Sequence, residues 1–442
     1  MRHIAKGLVF IVLISISVFF GITYYETYIK APLKNNSENA DVSDTILLGN
    51  GNKNENKNDM PTINYTSFPK TVKDKGDFYI NNLGGSKDEI LLDYFIIGDF
   101  VYVILYTDSN DGDFKATERK LAIGKFDSSG NILSTQVLNT QIEEKYLSAS
   151  IYENGILILT TASTVKLYAV SLDLTYTAST LNIILSTAYL YYNYPYTLIC
   201  GQNQNRLCVF KLNENKIVDS FETKISEEFC PTALFFVNNK YHLFFNDGEQ
   251  GCVLTFGSNK TESQMKLAEQ PFSQVYPYEY GFIATSCFRN SINVMLFHYD
   301  LTEYKNLALG YGKDVAVSVL ENGILIITTG DVGQAFFLCK HGDIIHRDTR
   351  SLAPISEIYG ILSTVESLEI IARLSKDTAV KYTLDYKTNT ISESQSYYLP
   401  SAEKITVLSV KSQKALLTQT WENSSIFDEN CGKTDIFLLI FK

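Results

Sequence analysis

Residues 153–161, Glu-Asn-Gly-Ile-Leu-Ile-Leu-Thr-Thr, return 168 residues later as Glu-Asn-Gly-Ile-Leu-Ile-Ile-Thr-Thr at 321–329. Asn-Gly beside a β-branched run is the chemistry of a tight hairpin, because both central positions of a type I′ turn need positive φ. Each copy therefore reads as a turn followed by a strand, and the long separation indicates an internal repeat.

With that turn as a ruler, related turns fall near Gly98-Asp99, Asn154-Gly155, Tyr194-Pro195, Asn239-Lys240, Tyr280-Gly281, Asn322-Gly323, Glu366-Ser367 and Ser412-Gln413. The spacing is about 42 residues, so four units fill the separation between the two matching copies. After each turn come an apolar strand, a polar break, a second apolar strand and a turn containing Asp or Asn. Hardly a helical period appears beyond Asp74, and four strands per unit result.

A four-stranded unit repeated at this interval resembles the β-propeller superfamily, whose blades pack face to face around a channel. The resemblance is architectural and runs from about Asp77 to Lys442. The single Trp excludes an array of Trp-Asp repeats, and neither a recurring Gly-Gly pair nor an Asp box is visible. The expectation is an all-β chain: a propeller of about eight four-stranded blades, with seven as the alternative, behind an N-terminal transmembrane helix and a flexible linker. The final unit supplies three strands, 405–410, 415–420 and 435–441, while a lone strand at 77–82 precedes the first full unit. Pairing between them would close the ring and leave no open inner edge.

Residues 7–23 form an apolar run interrupted only by serines and one glycine, with Arg2 and Lys6 before it and Tyr24, Tyr25 and Tyr28 after it. This pattern predicts a membrane anchor with its short basic end in the cytoplasm. No small-x-small site follows the run and no Cys precedes Cys200, which argues for an uncleaved segment. Residues 31–74 are polar and rich in Asn, a composition that buries too little apolar surface to offset ordering entropy. The expected division is thus a cytoplasmic stub and anchor at 1–30, a tether at 31–74 and an extracytoplasmic propeller at 75–442. A net charge of −11 opposes nucleic-acid binding, which requires a basic face.

No nucleophile elbow, phosphate loop or zinc-type cysteine pair occurs. The seven cysteines sit largely within apolar strands, with Cys200 and Cys208 candidates for facing each other across a hairpin. His341, Asp343 and His346 share one turn that reads as solvated. Clusters at 189–196 and 276–280 supply tyrosines either for packing between blades or for an aromatic platform.

Loop length gives the strongest functional pointer. Six units join their second and third strands by short connections, whereas 107–118 and 421–434 are long. The first carries Asp108, Asn110, Asp111, Asp113 and Glu118, and the second carries Trp421, Asp428, Glu429 and Asn430. Ring closure makes their units neighbours, so the two insertions are expected to meet and form a binding site. The segment 108–113 loosely resembles a calcium loop, yet its Gly is out of register and Arg119 stands where a bidentate Glu belongs. No resident cofactor or catalytic residue is assigned. The expected role is a binding scaffold for an envelope protein, peptide or glycan, with a carboxylate-dependent hydrolase or lyase at the channel mouth as the alternative.

Overall fold

The computed structural model describes residues 73–75, 78–225, 229–257, 261–320, 323–330, 333–338, 344–352, 355–363, 367–375, 378–385, 390–398, 402–410, 413–421 and 434–441. Among them, thirty-three strands form antiparallel sheets without a helix. Seven sheets are four-stranded blades built from consecutive strands. Blade 1, for example, comprises Glu89–Ile97, Phe100–Thr107, Lys120–Phe126 and Ile132–Val137, from the inner strand outwards. Blades 2 to 7 follow in chain order.

The remaining sheet is composite. Its order is Ala402–Val410, Gln413–Trp421, Thr434–Phe441, Phe78–Asn82 and Lys73–Lys75. Phe78 pairs with Phe441 and Asn82 with Phe437, so a strand from before blade 1 completes the sheet that follows blade 7. This sheet departs from the expected four strands because Lys73–Lys75 adds a fifth, pairing with Phe78–Asn82.

Eight buried apolar clusters show how the sheets close into a β-propeller. Each cluster draws on two adjacent sheets: Ile104 and Ile123 of blade 1 meet Ile156 and Ile158 of blade 2. At the seam, Leu91 and Val103 meet Leu417 and Leu438 of the composite blade. On its other side, Ile371 and Tyr359 of blade 7 pack with Leu416, Phe437 and Phe78. Central strands are covered on both faces, as in the buried run Gly155–Ile158, which explains apolar runs where a half-exposed sheet would alternate.

Side chains also fasten the inner strands of one blade to the next. The Tyr146 amide donates to Tyr106 Oη at 2.6 Å, Leu190 to Ser148 Oγ at 3.1 Å, and Phe229 to Gln202 Oε1 at 3.1 Å. Ile358 donates to Asp314 Oδ2 at 3.0 Å, and at the seam Leu91 donates to Gln419 Oε1 at 2.9 Å. An inner strand has a sheet partner on one side only, so these acceptors satisfy amides that burial would otherwise strand.

The cysteine pairing fails on register. Cys200 lies opposite Val209 and Cys208 opposite Gly201. That one-residue offset sends the thiols to opposite faces, Cys200 towards blade 4 and Cys208 towards blade 2. The tyrosine clusters mostly pack between blades: Tyr189 and Tyr191 against the blade 3–4 core, Tyr192 against the blade 2–3 core. Tyr194 and Tyr280 are the exposed members. His341 and Asp343 lie outside the described residues, as does the side chain of His346.

Candidate functional site

The long insertion of blade 1 is seated by its own sequence. Phe114 and Ala116 are buried, and Phe114 belongs to the seam core. Gly124 makes room for it, since a Cβ there would stand 2.8 Å from the Phe114 ring. Ala116 donates to the Ser109 carbonyl at 2.7 Å, closing the loop on itself.

The same loop is fixed to residues 83–88, the connection from Phe78–Asn82 to the inner strand of blade 1. Asp111 Oδ1 accepts from the Ser86 amide at 2.8 Å and from its hydroxyl at 3.0 Å. Ser109 Oγ accepts from the Lys87 amide at 3.0 Å. Gly112 has φ of 70°, and a Cβ on it would lie 2.7 Å from the Gly84 carbonyl, so both conformation and close approach require glycine.

Asp88 joins the bases of the two insertions. Its carbonyl accepts from the Asp108 amide at 3.1 Å, and its Oδ1 accepts from the Thr434 amide at 3.3 Å. Thr434 is paired with Trp421, so the second insertion leaves the sheet beside the root of the first. Within the first, Asn110 and Glu118 are exposed, while Asp108, Asp111 and Asp113 are partly buried. Asp428, Glu429 and Asn430 lie outside the described residues, as does the side chain of Trp421.

Beneath this junction is a feature that loop length did not disclose. Glu89 is 0% exposed and Asp435 3% exposed, and Glu89 Oε2, Asp435 Oδ1 and Asp108 Oδ1 have no hydrogen-bond partner. Glu89 Oε1 accepts from Ser109 Oγ at 2.5 Å and Thr107 Oγ1 at 3.0 Å. Burial pushes the Glu89 carboxyl up to about 7, outweighing those bonds, and Asp88 adds to the rise. Burial, then Glu89, then Asp88 push Asp435 up to about 8. Burial likewise raises Asp108.

Blade 2 shows what a satisfied version looks like. Glu144 receives hydrogen bonds from Thr160 at 2.5 Å, Tyr168 at 2.7 Å and Lys166 Nζ at 2.8 Å. Burial alone would raise it, but these donors, led by Lys166, hold it below the ordinary value. Thr160 is paired with Lys166, and in blade 1 Thr107 is paired with Lys120. Lys120, however, turns to Glu118 at 2.6 Å and to the Thr140 carbonyl. Glu89 thus lacks the cation that its counterpart in blade 2 has.

The signal for this position was present in the sequence. A Glu at the start of an inner strand accepts from a Thr at or near the end of the second strand in blades 1 and 2: Glu89 from Thr107 and Glu144 from Thr160, at separations of 18 and 16 residues. In blade 6 the Thr329 hydroxyl instead accepts from the main-chain amide of Asp314. Among the described residues, no group of three or more His, Cys, Asp or Glu side chains is placed to hold a metal ion. Asp111 is instead engaged in fixing the loop, which removes one oxygen from the calcium-like set.

Fold and seam together define a β-propeller whose ring is closed by strands distant in sequence. No family model matches the chain, and no curated protein matches it in sequence. Among solved structures, the Dos1 propeller is similar over 82% of this chain and 95% of its own, at 13% identity and a TM-score of 0.54. Quinohemoprotein alcohol dehydrogenase from Comamonas testosteroni is similar over 83% of this chain and 76% of its own, at 7% identity and a TM-score of 0.52. BamB from Moraxella catarrhalis matches over 82% of this chain and all of its own, at 11% identity and a TM-score of 0.48. At these identities the likeness is one of fold.

Proposed function

We propose that this chain is a noncatalytic binding scaffold, held at a membrane by residues 7–23, that presents its propeller outside the cytoplasm to an envelope protein, peptide or glycan. The observation that carries the reading is the preorganised insertion of blade 1: plugged by Phe114, pinned through Asp111 and Ser109, and joined to the base of the second insertion through Asp88. A loop already ordered loses little entropy when it binds. The carboxylates with raised affinity for protons do not favour the hydrolase alternative, because Glu89 and Asp435 are closed off from any substrate.

Trp421 provides the readout, as the chain has no other Trp. Calcium, cell-wall fragments and a partner captured with the full-length protein are to be titrated against its emission. A true ligand of the two insertions should change that emission, and Trp421→Ala should weaken its binding by about 2 kcal/mol or more if the indole is a hot spot. Asn110→Ala and Glu118→Ala should weaken it less while leaving the pinned loop in place. A partner that binds with unchanged emission and tolerates Trp421→Ala and a shortened 107–118 loop would place the site elsewhere.

The tether has its own test. A C-terminally tagged full-length chain is expected in the membrane fraction, with its propeller digestible by externally added protease. A soluble product shortened by about thirty residues would instead identify a cleaved signal.

A further inference from the structure

Among the described residues, the buried side-chain nitrogen and oxygen atoms without a hydrogen-bond partner are Asn82 Nδ2, Glu89 Oε2, Asp108 Oδ1, Thr418 Oγ1 and Asp435 Oδ1. All of them belong to the composite blade or to the edge of blade 1 beside it. Buried polar groups in a folded protein are almost always paired, so their gathering at one seam points to a partner supplied from outside the chain.

The register brings the two fully enclosed acids together. In the closing pair Asn82 lies opposite Phe437, and the Leu83 amide donates to the Ile436 carbonyl at 2.9 Å, so the same ladder sets Gly84 opposite Asp435. Side chains opposite one another across an antiparallel pair start about 5 Å apart. At Gly84 that position is taken by the carboxyl of Glu89, since a Cβ there would collide with Oε2. Thr418, paired with Phe437, comes next along the same face of the composite blade. Asp108 stands apart, with the charges of Arg119 and Lys87 acting on it.

Among the described residues no positive charge bears on the pair. The charges acting on Asp435 are those of Glu89 and Asp88, and the charge acting on Glu89 is that of Asp88, all of them negative. In blade 2 the matching acid, Glu144, has Lys166 Nζ at 2.8 Å. Lys120, on the same rung of blade 1, is held by Glu118 instead. The repeat thus answers a buried acid with a cation of its own in blade 2 and does not do so in blade 1.

We propose that Glu89 and Asp435 bind a divalent cation of the calcium type, which joins blade 1 to the strands that close the ring. The donors decide the class, because hard carboxylate oxygens favour calcium or magnesium over zinc or copper. Calcium accepts irregular shells, whereas magnesium demands a near-ideal octahedron and retains waters that a site this enclosed has little room for. Two carboxylates balance one divalent charge, so a third acidic side chain is not needed. Neutral oxygens such as Thr418 Oγ1, main-chain carbonyls and water complete such a shell, and Asn82 Nδ2 is suited to donate to a carboxylate oxygen that the ion leaves over.

The test uses the full-length protein in neutral detergent, stripped with a calcium chelator and then dialysed against labelled calcium at pH 8. One ion per chain is expected, and calcium should raise the urea midpoint of the parent. Glu89→Gln and Asp435→Asn should each weaken binding at least about tenfold, and calcium should leave the midpoint of Glu89→Gln where it is. Glu118→Gln and Trp421→Ala, in the insertions, should bind the ion as the parent does. If Asp435→Asn impairs folding, Glu89→Gln still decides the matter, because it keeps an acceptor for Thr107 and Ser109. The proposal is overturned if the parent binds no calcium or if Glu89→Gln binds it as tightly as the parent. It is equally overturned if Glu118→Gln abolishes binding, which would move the ion into the insertion. A ligand of the insertions is read instead by its dependence on Trp421, so the two sites stand or fall separately.

Discussion

Phe78→Ala is expected to lower the unfolding free energy by about 3–5 kcal/mol, the range for emptying a buried aromatic site. Phe78 is nearly inaccessible and touches the rings of Tyr397 in blade 7 and Phe441 in the composite blade, with centroids 5.2 and 4.9 Å away. It therefore couples the returning strand both to its sheet partner and to the neighbouring blade. Deleting residues 77–82 should cost more, because it also removes the main-chain pairing to Thr434–Phe441 and bares that strand's edge. Urea unfolding of the two variants, beside a deletion of residues 35–58, measures the effect. Equal midpoints for the 77–82 and 35–58 deletions would show that the returning strand contributes nothing to ring stability.

A second large effect concerns pH. The folded state holds Glu89 protonated up to about pH 7 and Asp435 up to about pH 8, whereas in the unfolded chain both ionise near their ordinary values of 4.5 and 3.8. Between those limits the folded state binds more protons than the unfolded state, so stability falls as pH rises. The penalty is absent below about pH 4 and complete above both folded values. For Glu89 alone the rise from 4.5 to about 7 corresponds to about 3 kcal/mol at most. Glu89→Gln keeps an acceptor for Thr107 and Ser109 without the charge. It should be more stable than the parent at pH 9 by about 1–3 kcal/mol, with the advantage shrinking towards pH 5. Chemical denaturation across pH 5–9 reads this directly, and parallel profiles for parent and Glu89→Gln would contradict it.

Much of the ring was legible because its grammar is local. The Asn154-Gly155 turn and the Ile156–Leu159 run report their own conformation, and the repeat interval fixes how often that conformation recurs. The returning strand was legible for a different reason: a unit short of one strand and a strand short of a unit can satisfy each other. The choice between seven and eight blades depended on that seam, where seven continuous four-stranded blades are joined by one sheet of mixed origin. The buried carboxylates were hidden because their behaviour depends on where a neighbouring lysine points. Lys120 and Lys166 occupy matching rungs, yet Lys166 reaches Glu144 at 2.8 Å while Lys120 is held by Glu118.

The seam also imposes an order on synthesis. Phe78 emerges from the ribosome 363 residues before the Phe441 it will pair with, at the extreme of sequence separation for this fold. Blades 1 to 7 each contain all their strands in sequence and are free to form as they appear, but Phe78–Asn82 must wait without its partner until synthesis has passed every one of them. During that interval it is an orphan strand of Phe, Tyr and Ile whose natural complement does not yet exist. Protection of the nascent chain over that delay is therefore part of what the closed ring demands from the cell that makes it.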